Sequence, residues 1–533
     1  MSDAAQAVPL EQALWVPTYN PWLIGVVVAL AAFMEILDTS IANVALPYMA
    51  GSLGVSNNDS TWVLTSYLVA NAIVLPISGW LAVTFGRKRF FMACLALFTA
   101  SSILCGLAPS FGLLLVFRVV QGAGGGGLQP MAQAILADTF PPEKRGLAFA
   151  LYGITAVVAP TVGPTVGGWI TFSYSWRWIF LINFPVGIMA LALVLRLIQD
   201  PPYLSRLKSA GVKLDYIGIG FLALGVGALQ VLLDKGQEDD WFGSHLIVTL
   251  MIVSGVCLVS LVIWEWFNKN PIIEVRLFRN FNYLSSNLMM FTLGIMLFSS
   301  VVIMPLFLQT LLGYTAELAG LVLSGGAFVV LLSMPIVGQL TSRVQARYII
   351  AFGWLCLAIG MYASTRVMDL TISFVAASWI RIAQVVGIGF LFVPITLAAY
   401  IGMPRERSNA VAGMINFMRN IGSSVGTSMV TTLIDRRSEY HQSVLVSHAT
   451  LGSPNFQNLV NGARNLFIRS GVSPPDALRR AYARIYQTVQ IQAATLAYID
   501  IFKVLAVISS IMFVLSFVLR KNKPGGGGEV AVG

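Results

Sequence analysis

Fourteen apolar blocks, each about twenty residues long, follow one another along this chain of 533 residues and are separated by polar joints. A helix rises about 1.5 Å per residue, so a block of this length crosses about 30 Å of hydrocarbon. Only 11% of the residues are charged, fewer than the surface of a soluble protein of this size requires. We therefore predict an all-α polytopic membrane protein with fourteen transmembrane helices. The predicted spans are 22–47, 60–83, 90–109, 112–136, 147–171, 178–199, 214–233, 245–268, 284–312, 316–341, 348–368, 372–400, 409–434 and 495–519.

The positions of the charges predict the orientation. The short joints on one side of the predicted bundle hold only Arg177, Lys235 and Arg366. Basic residues on the other side are Arg87, Lys88, Arg89, Lys144, Arg145, Arg206, Lys208, Lys213, Lys269, Arg276, Arg279, Arg343, Arg347, Arg405, Arg407, Arg520, Lys521 and Lys523. Positively charged joints remain in the cytoplasm, so we expect both termini on the cytoplasmic side of a bacterial inner membrane. The net charge of +10 then needs no nucleic-acid partner.

The chain repeats short patterns at a distance of about 260 residues, which predicts two related halves. The pairs are Pro76-x-x-Gly79-x-Leu81 with Pro335-x-x-Gly338-x-Leu340, Arg118-x-x-Gln121 with Arg381-x-x-Gln384, and Pro142-x-x-Arg145-x-x-Ala148 with Pro404-x-x-Arg407-x-x-Ala410. We predict six-helix halves at 1–200 and 271–533 around an inserted helix pair at 201–270. The inserted helices should pack outside the interface between the halves, and the polar segment 435–494 should form a partly helical outer loop.

Two carboxylates lie well inside a predicted span, and both are on the first helix. Ionisable groups at this depth are costly and usually functional. Glu35 and Asp38 share one helix face, so we predict that Asp38 carries a proton and that Glu35 shares it. The alternative is that Asp38 stays ionised and positions a neighbouring helix. No nucleotide-hydrolysis motif or metal-ligand spacing occurs in the sequence, so we expect no ATP-driven pump, no cofactor and no metal ion.

Arginines inside the spans are candidates to pair with that carboxylate. Arg118 and Asp38 lie at similar depth below the same predicted membrane surface, so an ion pair that breaks on protonation fits the geometry. Arg118 binding only to backbone carbonyls is the alternative. Arg381 matches Arg118 in the repeat but has no acid at the midplane of its own half, which favours a structural role.

Glycines in the fourth and fifth spans favour close helix packing. The run Gly122 to Gly127 resembles a phosphate loop only in composition, because no Gly-Lys-Ser or Gly-Lys-Thr follows. The fifth span adds two prolines that bend its axis. Its pattern contains Gly153, Ala159, Pro160, Gly163, Pro164, Gly167 and Gly168.

These motifs together resemble the fourteen-span drug:proton antiporters of the major facilitator superfamily, and especially the EmrB-like multidrug exporters. The matching runs are Leu37 to Pro47, Gly79-Trp80-Leu81 with Gly86-Arg87-Lys88, Arg118-x-x-Gln121-Gly122, Gly163-Pro164-x-x-Gly167-Gly168 and Trp176 to Pro185. Val83 replaces the usual Asp of the second motif, Ala159 replaces the first Gly of the fourth, and Glu35 is an addition that many relatives lack.

The resemblance implies a function and a set of site residues. It implies a major facilitator fold that exports amphipathic or toxic small molecules in exchange for protons, by alternating access. Asp38, Glu35 and Arg118 are the expected coupling residues, and Gly79, Gly86, Arg87 and Lys88 form the expected cytoplasmic loop motif. The expected cavity and gating residues are Asn43, Gln121, Gly163, Pro164, Gly167, Gly168, Asn183, Arg381 and Gln384.

Partners and rival functions follow from the same resemblance. It implies the inner-membrane part of a tripartite pump with a periplasmic adaptor and an outer-membrane channel, although an exporter acting alone is the alternative. A dedicated exporter of one metabolite, such as a siderophore or an antibiotic, is the second transport function considered. A membrane sensor or scaffold that keeps the fold without transport belongs to another class, and the midplane carboxylate argues against it.

Overall fold

The computed structural model describes residues 17–201, 215–450 and 452–521, which form a bundle of α-helices with no strand among them. Arg206, Lys208, Lys213 and Lys523, which the sequence places in the basic joints, lie outside the described residues. We call the end of the bundle that carries the remaining basic joints the basic face, and the other end the opposite face.

In the described part of the predicted first half, nine α-helices, some of them short, build the first six predicted spans. Broken spans explain the three extra helices: the second span is interrupted at Thr61, the fourth at Gly126 and Gly127, and the sixth at Ile182. The helices are α1 (Pro21–Leu53), α2 (Asn57–Ser60), α3 (Trp62–Phe85), α4 (Arg87–Gly106), α5 (Phe111–Gly125), α6 (Leu128–Thr139), α7 (Arg145–Ser173), α8 (Trp178–Leu181) and α9 (Asn183–Leu197).

The remaining helices include the inserted pair and the second half. Short 3-10 turns at Pro142–Lys144, Trp241–Gly243, Val275–Arg279 and Arg405–Arg407 connect several of the helices. The helices are α10 (Tyr216–Lys235), α11 (His245–Phe267), α12 (Phe281–Thr310), α13 (Ala316–Leu340), α14 (Ala346–Val367), α15 (Phe374–Ala399), α16 (Ser408–Ser447), α17 (Pro454–Arg469) and α18 (Pro474–Ser516).

Thirteen helical segments of the described chain are long and apolar enough to cross a membrane. The predicted span 409–434 is part of α16, which is not among the thirteen. Its polar side chains lower its hydropathy, yet α16 packs deep in the bundle. A Cβ atom on Gly422 would collide with the carbonyl of Phe291 on α12, and one on Gly426 would lie 2.8 Å from Ile295. The fold is therefore the predicted all-α polytopic one, with α16 as an unusually polar span.

Close packing explains the glycine run of the fourth span. A Cβ atom on Gly126 would lie 2.7 Å from the backbone oxygen of Asn71, and one on Gly122 would collide with the backbone oxygen of Tyr67. Both partners are on α3, so any larger residue would push the two helices apart. The run packs helices together, as the sequence favours.

The inserted helices do not both lie where the sequence predicts. Helix α11 is largely exposed, which fits a position at the periphery. Helix α10 instead contacts both halves: Asp234 accepts a hydrogen bond from Thr65 of α3, and Gln230 donates to Ser424 of α16 at 2.8 Å. The expectation that both helices avoid the interface is therefore wrong for α10, because polar side chains on its inward face bond to one helix of each half.

Three helical portions make up the segment 435–494. Helix α16 continues to Ser447, α17 follows, and α18 begins at Pro474. Arg437 and His441 of α16 both bind Asp500 of α18, His441 through Nε2 at 2.8 Å. The rings of Phe456 and Tyr482 hold α17 against α18, with centroids 6.4 Å apart.

Candidate functional site

Asp38 is buried inside the first half, where it accepts hydrogen bonds from side chains of α5 and α9. Its side chain is only 1% exposed. Oδ2 accepts from Nη1 of Arg118 at 2.7 Å, and Oδ1 accepts from Nε2 of Gln121 at 3.0 Å and from Nδ2 of Asn183 at 2.7 Å. One cationic and two amide donors therefore satisfy both oxygens of this buried carboxylate with short, directed hydrogen bonds.

Arg118 is fixed by more than the carboxylate. Its Nε donates to the backbone oxygen of Val63 at 2.9 Å, and its guanidinium carbon lies 4.3 Å from the centre of the Tyr67 ring. The side chain therefore pairs with Asp38 and also binds a backbone carbonyl, so it does not bind backbone carbonyls alone. These contacts fix the guanidinium independently of the carboxylate.

Glu35 lies in a separate polar cluster. Its Oε1 accepts from Tyr67 at 2.9 Å and from Asn71 at 3.0 Å, and its Oε2 accepts from Gln129. In the described residues, no hydrogen bond joins Glu35 to Asp38. Tyr67 lies between the two carboxylates, because its hydroxyl binds Glu35 while its ring stacks under Arg118.

The Glu35 cluster extends across the interface to α16 of the second half. Oε1 of Gln129 accepts hydrogen bonds from Arg419 and, at 3.1 Å, from Tyr152. The amide of Asn416 donates to Gln133 at 3.0 Å and accepts from Tyr152 at 3.1 Å. Polar contacts of this kind tie the halves together near the middle of the spans.

Sequence reasoning did not assign roles to the side chains that surround Glu35. They share one signal, which is a hydrogen-bonding group inside an apolar span. On α16 that signal is clearest, since Asn416, Arg419 and Asn420 follow helical spacing on one face. The unassigned members are Tyr67, Asn71, Gln129, Gln133, Tyr152, Asn416, Arg419 and Asn420.

The glycines of the fifth span pack against the helix that carries both carboxylates. A Cβ atom on Gly167 would lie 2.9 Å from Ile41, and one on Gly163 would collide with Ser40. Ser40 in turn donates to the backbone oxygen of Pro160 at 3.0 Å. Pro164 and Gly168 are half-buried beside them. The regular spacing of small residues thus sets how closely α7 approaches α1.

Three other predicted site residues lie apart from the carboxylates. Asn43 is exposed. Arg381 is buried and donates to the backbone oxygen of Ser300 at 3.1 Å, and Gln384 donates to Ser364 at 2.9 Å. Within the described chain, no carboxylate pairs with Arg381, which is the arrangement that a structural role requires.

The predicted loop motif lies on the basic face. Arg87 forms an ion pair with Asp138 at 2.6 Å, and the backbone N–H of Lys88 donates to Asp200 at 2.7 Å. Gly86, between the helices α3 and α4, has a φ of +91°, which a residue with a side chain rarely adopts. A Cβ atom on Gly79 would lie 2.9 Å from the backbone nitrogen of Ala410, so α3 and α16 touch here.

A second ion pair crosses the basic face. Nη1 of Arg407 lies 2.6 Å from Oε2 of Glu274, in the joint that follows the inserted pair. Burial raises the pKa of Glu274, and the neighbouring Arg407 and Arg276 oppose that shift.

As for metal ions, no group of three or more His, Cys, Asp or Glu side chains in the described residues has a geometry that would bind one.

Comparison with known proteins identifies the family. A profile of the Major Facilitator Superfamily matches residues 28–427. The chain belongs to this superfamily. The multidrug export protein EmrB of Haemophilus influenzae is 38% identical over 437 residues, covering 82% of this chain and 85% of that protein. The fatty acid resistance protein FarB of Neisseria gonorrhoeae is 38% identical over 425 residues, covering 79% and 82%.

A solved structure supports the same fold. The proton:xylose symporter XylE superposes with a TM-score of 0.60 over 96% of this chain and 98% of its own, at 14% identity. Superfamily membership makes the protein a multi-pass membrane transporter and not an enzyme, as the sequence predicts. The resemblance to EmrB-like exporters is also confirmed.

Proposed function

We propose that the protein is a proton-coupled antiporter that exports amphipathic or toxic small molecules by alternating access between two six-helix halves. Asp38 is the proton carrier, and Arg118 is the cation that it releases on protonation. The observation that carries the proposal is the buried ion pair of these two residues, 2.7 Å apart, inside the first half.

Protonation of Asp38 changes the balance of this site. A neutral carboxyl group holds a guanidinium far less strongly than a carboxylate does, so protonation leaves Arg118 as an uncompensated buried charge. Breaking a buried pair in this way costs about 3–5 kcal/mol. Asn183 and Gln121, which bind the same carboxylate, transmit the change to α9 and α5. Moving one charge through 100 mV supplies about 2.3 kcal/mol, which is sufficient for roughly fiftyfold accumulation.

The polar cluster around Glu35 supports a second role at the interface. Its hydrogen bonds cross between the halves through Gln129 and Arg419, Tyr152 and Asn416. A substrate that binds between the halves would compete for these groups. We propose that Glu35 orients this cluster and does not share the proton of Asp38, since the two carboxylates have different partners.

The names of the relatives guide the substrate class. Multidrug export in the EmrB relative favours a broad range of amphipathic compounds. The FarB relative is named for fatty acid resistance, which favours as a second candidate a dedicated exporter of one kind of molecule. Comparing efflux of a cationic dye with efflux of a fatty acid from the same proteoliposomes separates these candidates.

We further propose that the basic face lies in the cytoplasm of a bacterial cell, with both termini on that side. The halves are then 1–200 and 271–533, with the inserted segment 201–270 between them. In this orientation, 435–494 lies in the periplasm, where an adaptor of a tripartite pump would bind. The positive joints support this orientation.

The decisive experiment replaces Asp38 by Asn in the purified protein in proteoliposomes. We expect Asp38→Asn to lower efflux driven by a pH gradient by about a hundredfold or more, because the amide keeps the shape but cannot change charge. Asp369→Asn, at an exposed turn, is the matched control and should transport normally. Wild-type rates in Asp38→Asn would refute the proton-carrier assignment, and no substrate efflux by the wild-type protein would favour a sensor or scaffold.

A further inference from the structure

A large apolar groove lies on the side of the first half, at the end of the bundle where α7 ends. Its volume is about 730 Å³, and its walls come from α4, α7, α8 and α9. Its lining includes Trp169, Tyr174, Trp178, Phe184 and Pro185. A volume of this size lies within the range of small-molecule sites, about 300–1,000 Å³.

The lining residues define what the groove can hold. Each of them is aromatic or aliphatic, so no side chain in its wall is charged. Trp169 is 61% exposed, Tyr174 66% and Trp178 54%. Trp and Tyr prefer the boundary between hydrocarbon and water, where the ring is in an apolar medium and the polar atom is wet. The groove therefore suits an extended apolar chain that enters from the bilayer.

A positive charge stands beside the groove. Arg177 belongs to the turn between Tyr174 and Trp178; its Nη2 donates to the backbone oxygen of Ala108 at 2.9 Å, and its guanidinium lies 4.3 Å from the centre of the Trp176 ring. A fixed cation in the turn between two residues that line an apolar slot complements an anionic head group. The chemistry that fits both parts is a single-chain anionic amphiphile, such as a long-chain fatty acid.

The groove and the Asp38 site are formed by adjacent residues along the chain. Phe184 and Pro185 line it, and Asn183, directly before them, donates to Asp38 at 2.7 Å. The same amide donates to Ser102 at 3.0 Å, and the next residue, Ile103, also lines the groove. The span is interrupted at Ile182, between α8 and α9. Asn183 and Phe184 are the first two residues of α9, so a bound alkyl chain that displaces Phe184 would displace Asn183 as well.

We infer that this groove binds the alkyl chain of an anionic single-chain amphiphile, with its head group at Arg177, and that occupancy changes the free energy of the charged form of Asp38 through Asn183. The inference rests on the proposed function only for its consequence in transport. Binding itself is measured without a proton gradient, so failure of either idea is recognised separately.

The test uses photoreactive palmitate and the purified full-length protein in nanodiscs of dioleoylphosphatidylcholine. We expect saturable labelling of peptides within 169–185. Trp169→Ala should raise the half-maximal palmitate concentration by about tenfold. Trp379→Ala removes a tryptophan of similar exposure, 67%, from α15 and should leave that concentration unchanged. Equal effects of the two variants would overturn the site.

Two further arms test the head group and the coupling. Unlabelled hexadecanol, which lacks the charge, should compete about tenfold less well than palmitate in the wild type and about equally in Arg177→Gln. Asp38→Asn should shift the half-maximal palmitate concentration by about threefold or more, since coupling between two sites is reciprocal. The Asn183→Ala background should remove that shift. Labelling that never saturates against the excess phospholipid would show an ordinary lipid contact, and an unshifted Asp38→Asn would refute the coupling.

Discussion

A buried carboxylate that changes charge needs neighbours that tolerate both of its protonation states. Gln121 and Asn183 can do so, because an amide oriented toward a carboxylate also bonds to a neutral carboxyl group after a small rotation. Arg118 cannot, since it has no neutral form. The contacts of Arg118 with Val63 and Tyr67 therefore determine how well the buried guanidinium is stabilised once Asp38 is protonated.

Replacement of Arg118 tests how much each of its contacts contributes to coupling. Arg118→Lys keeps a charge for Asp38 but loses the planar fork that reaches Val63, so we expect proton-driven efflux reduced by about tenfold. Arg118→Ala leaves Asp38 unpaired at a cost of about 3–5 kcal/mol and should abolish transport. Efflux rates in proteoliposomes, with helix content measured by circular dichroism, provide the comparison. Equal, small losses in both variants would show that the arginine is not needed for coupling.

Glu35→Gln tests whether the two carboxylates share a proton. All three described partners of Glu35 donate to it, so the amide would lose at least one hydrogen bond, worth about 1.5–3 kcal/mol when one partner is charged. We expect slower efflux with an unchanged number of protons per substrate. A loss of coupling as complete as in Asp38→Asn would instead assign the proton to the pair.

The sequence predicts the depth of Asp38 and Arg118 well, because helical rise alone determines how far each lies below a membrane surface. It does not predict the separation of Glu35 from Asp38. Two residues three apart share a helix face, but their partners come from different helices, Asn71 and Gln129 for one and Gln121 and Asn183 for the other. Which helices surround a side chain depends on tertiary packing, which a single sequence does not reveal.

At the scale of elements, α10 is the clearest departure from expectation. Its hydropathy predicts a membrane helix but not which neighbours it will have. The bond from Gln230 to Ser424, and that from Thr65 to Asp234, place it along the edge of the interface between the halves. Under the proposed alternating access, a helix bonded to both halves must slide or release one of them, so we expect α10 to limit their motion.

Reversible cross-linking tests this role of α10. In a background without the other cysteines, Gln230→Cys with Ser424→Cys, joined by a short bifunctional thiosulfonate, should reduce efflux by about tenfold or more and recover on reduction. The control joins Gly225→Cys to the native Cys257, whose Cβ atom would lie 3.2 Å away within the inserted pair, and should transport normally. Full activity of the first cross-linked protein would show that α10 and α16 move as one body.

At the scale of the whole molecule, the segment 435–494 is where we expect assembly with a partner to be separate from transport. Arg437 and His441 of α16 bind Asp500 and so hold α16 against α18. On α17, which connects these two helices, Leu459 is 63% exposed and Leu466 is 68% exposed. Apolar side chains left open to water at the end of a polar hairpin suit a partner surface. None of them approaches the Asp38 or Glu35 partners described above.

We therefore predict that replacing 448–473, which contains α17, by a glycine–serine linker spares drug binding in detergent but lowers resistance severalfold in Gram-negative cells that supply an adaptor. Binding should persist because the substituted residues lie outside the carboxylate clusters. Leu459→Ser with Leu466→Ser keeps α17 and should reproduce the loss of resistance, since only the exposed apolar contacts are removed. Binding is measured by fluorescence anisotropy of a dye, and resistance by growth in its presence. Loss of dye binding in a variant with native helix content would place α17 in the substrate path and contradict this division between transport core and docking surface.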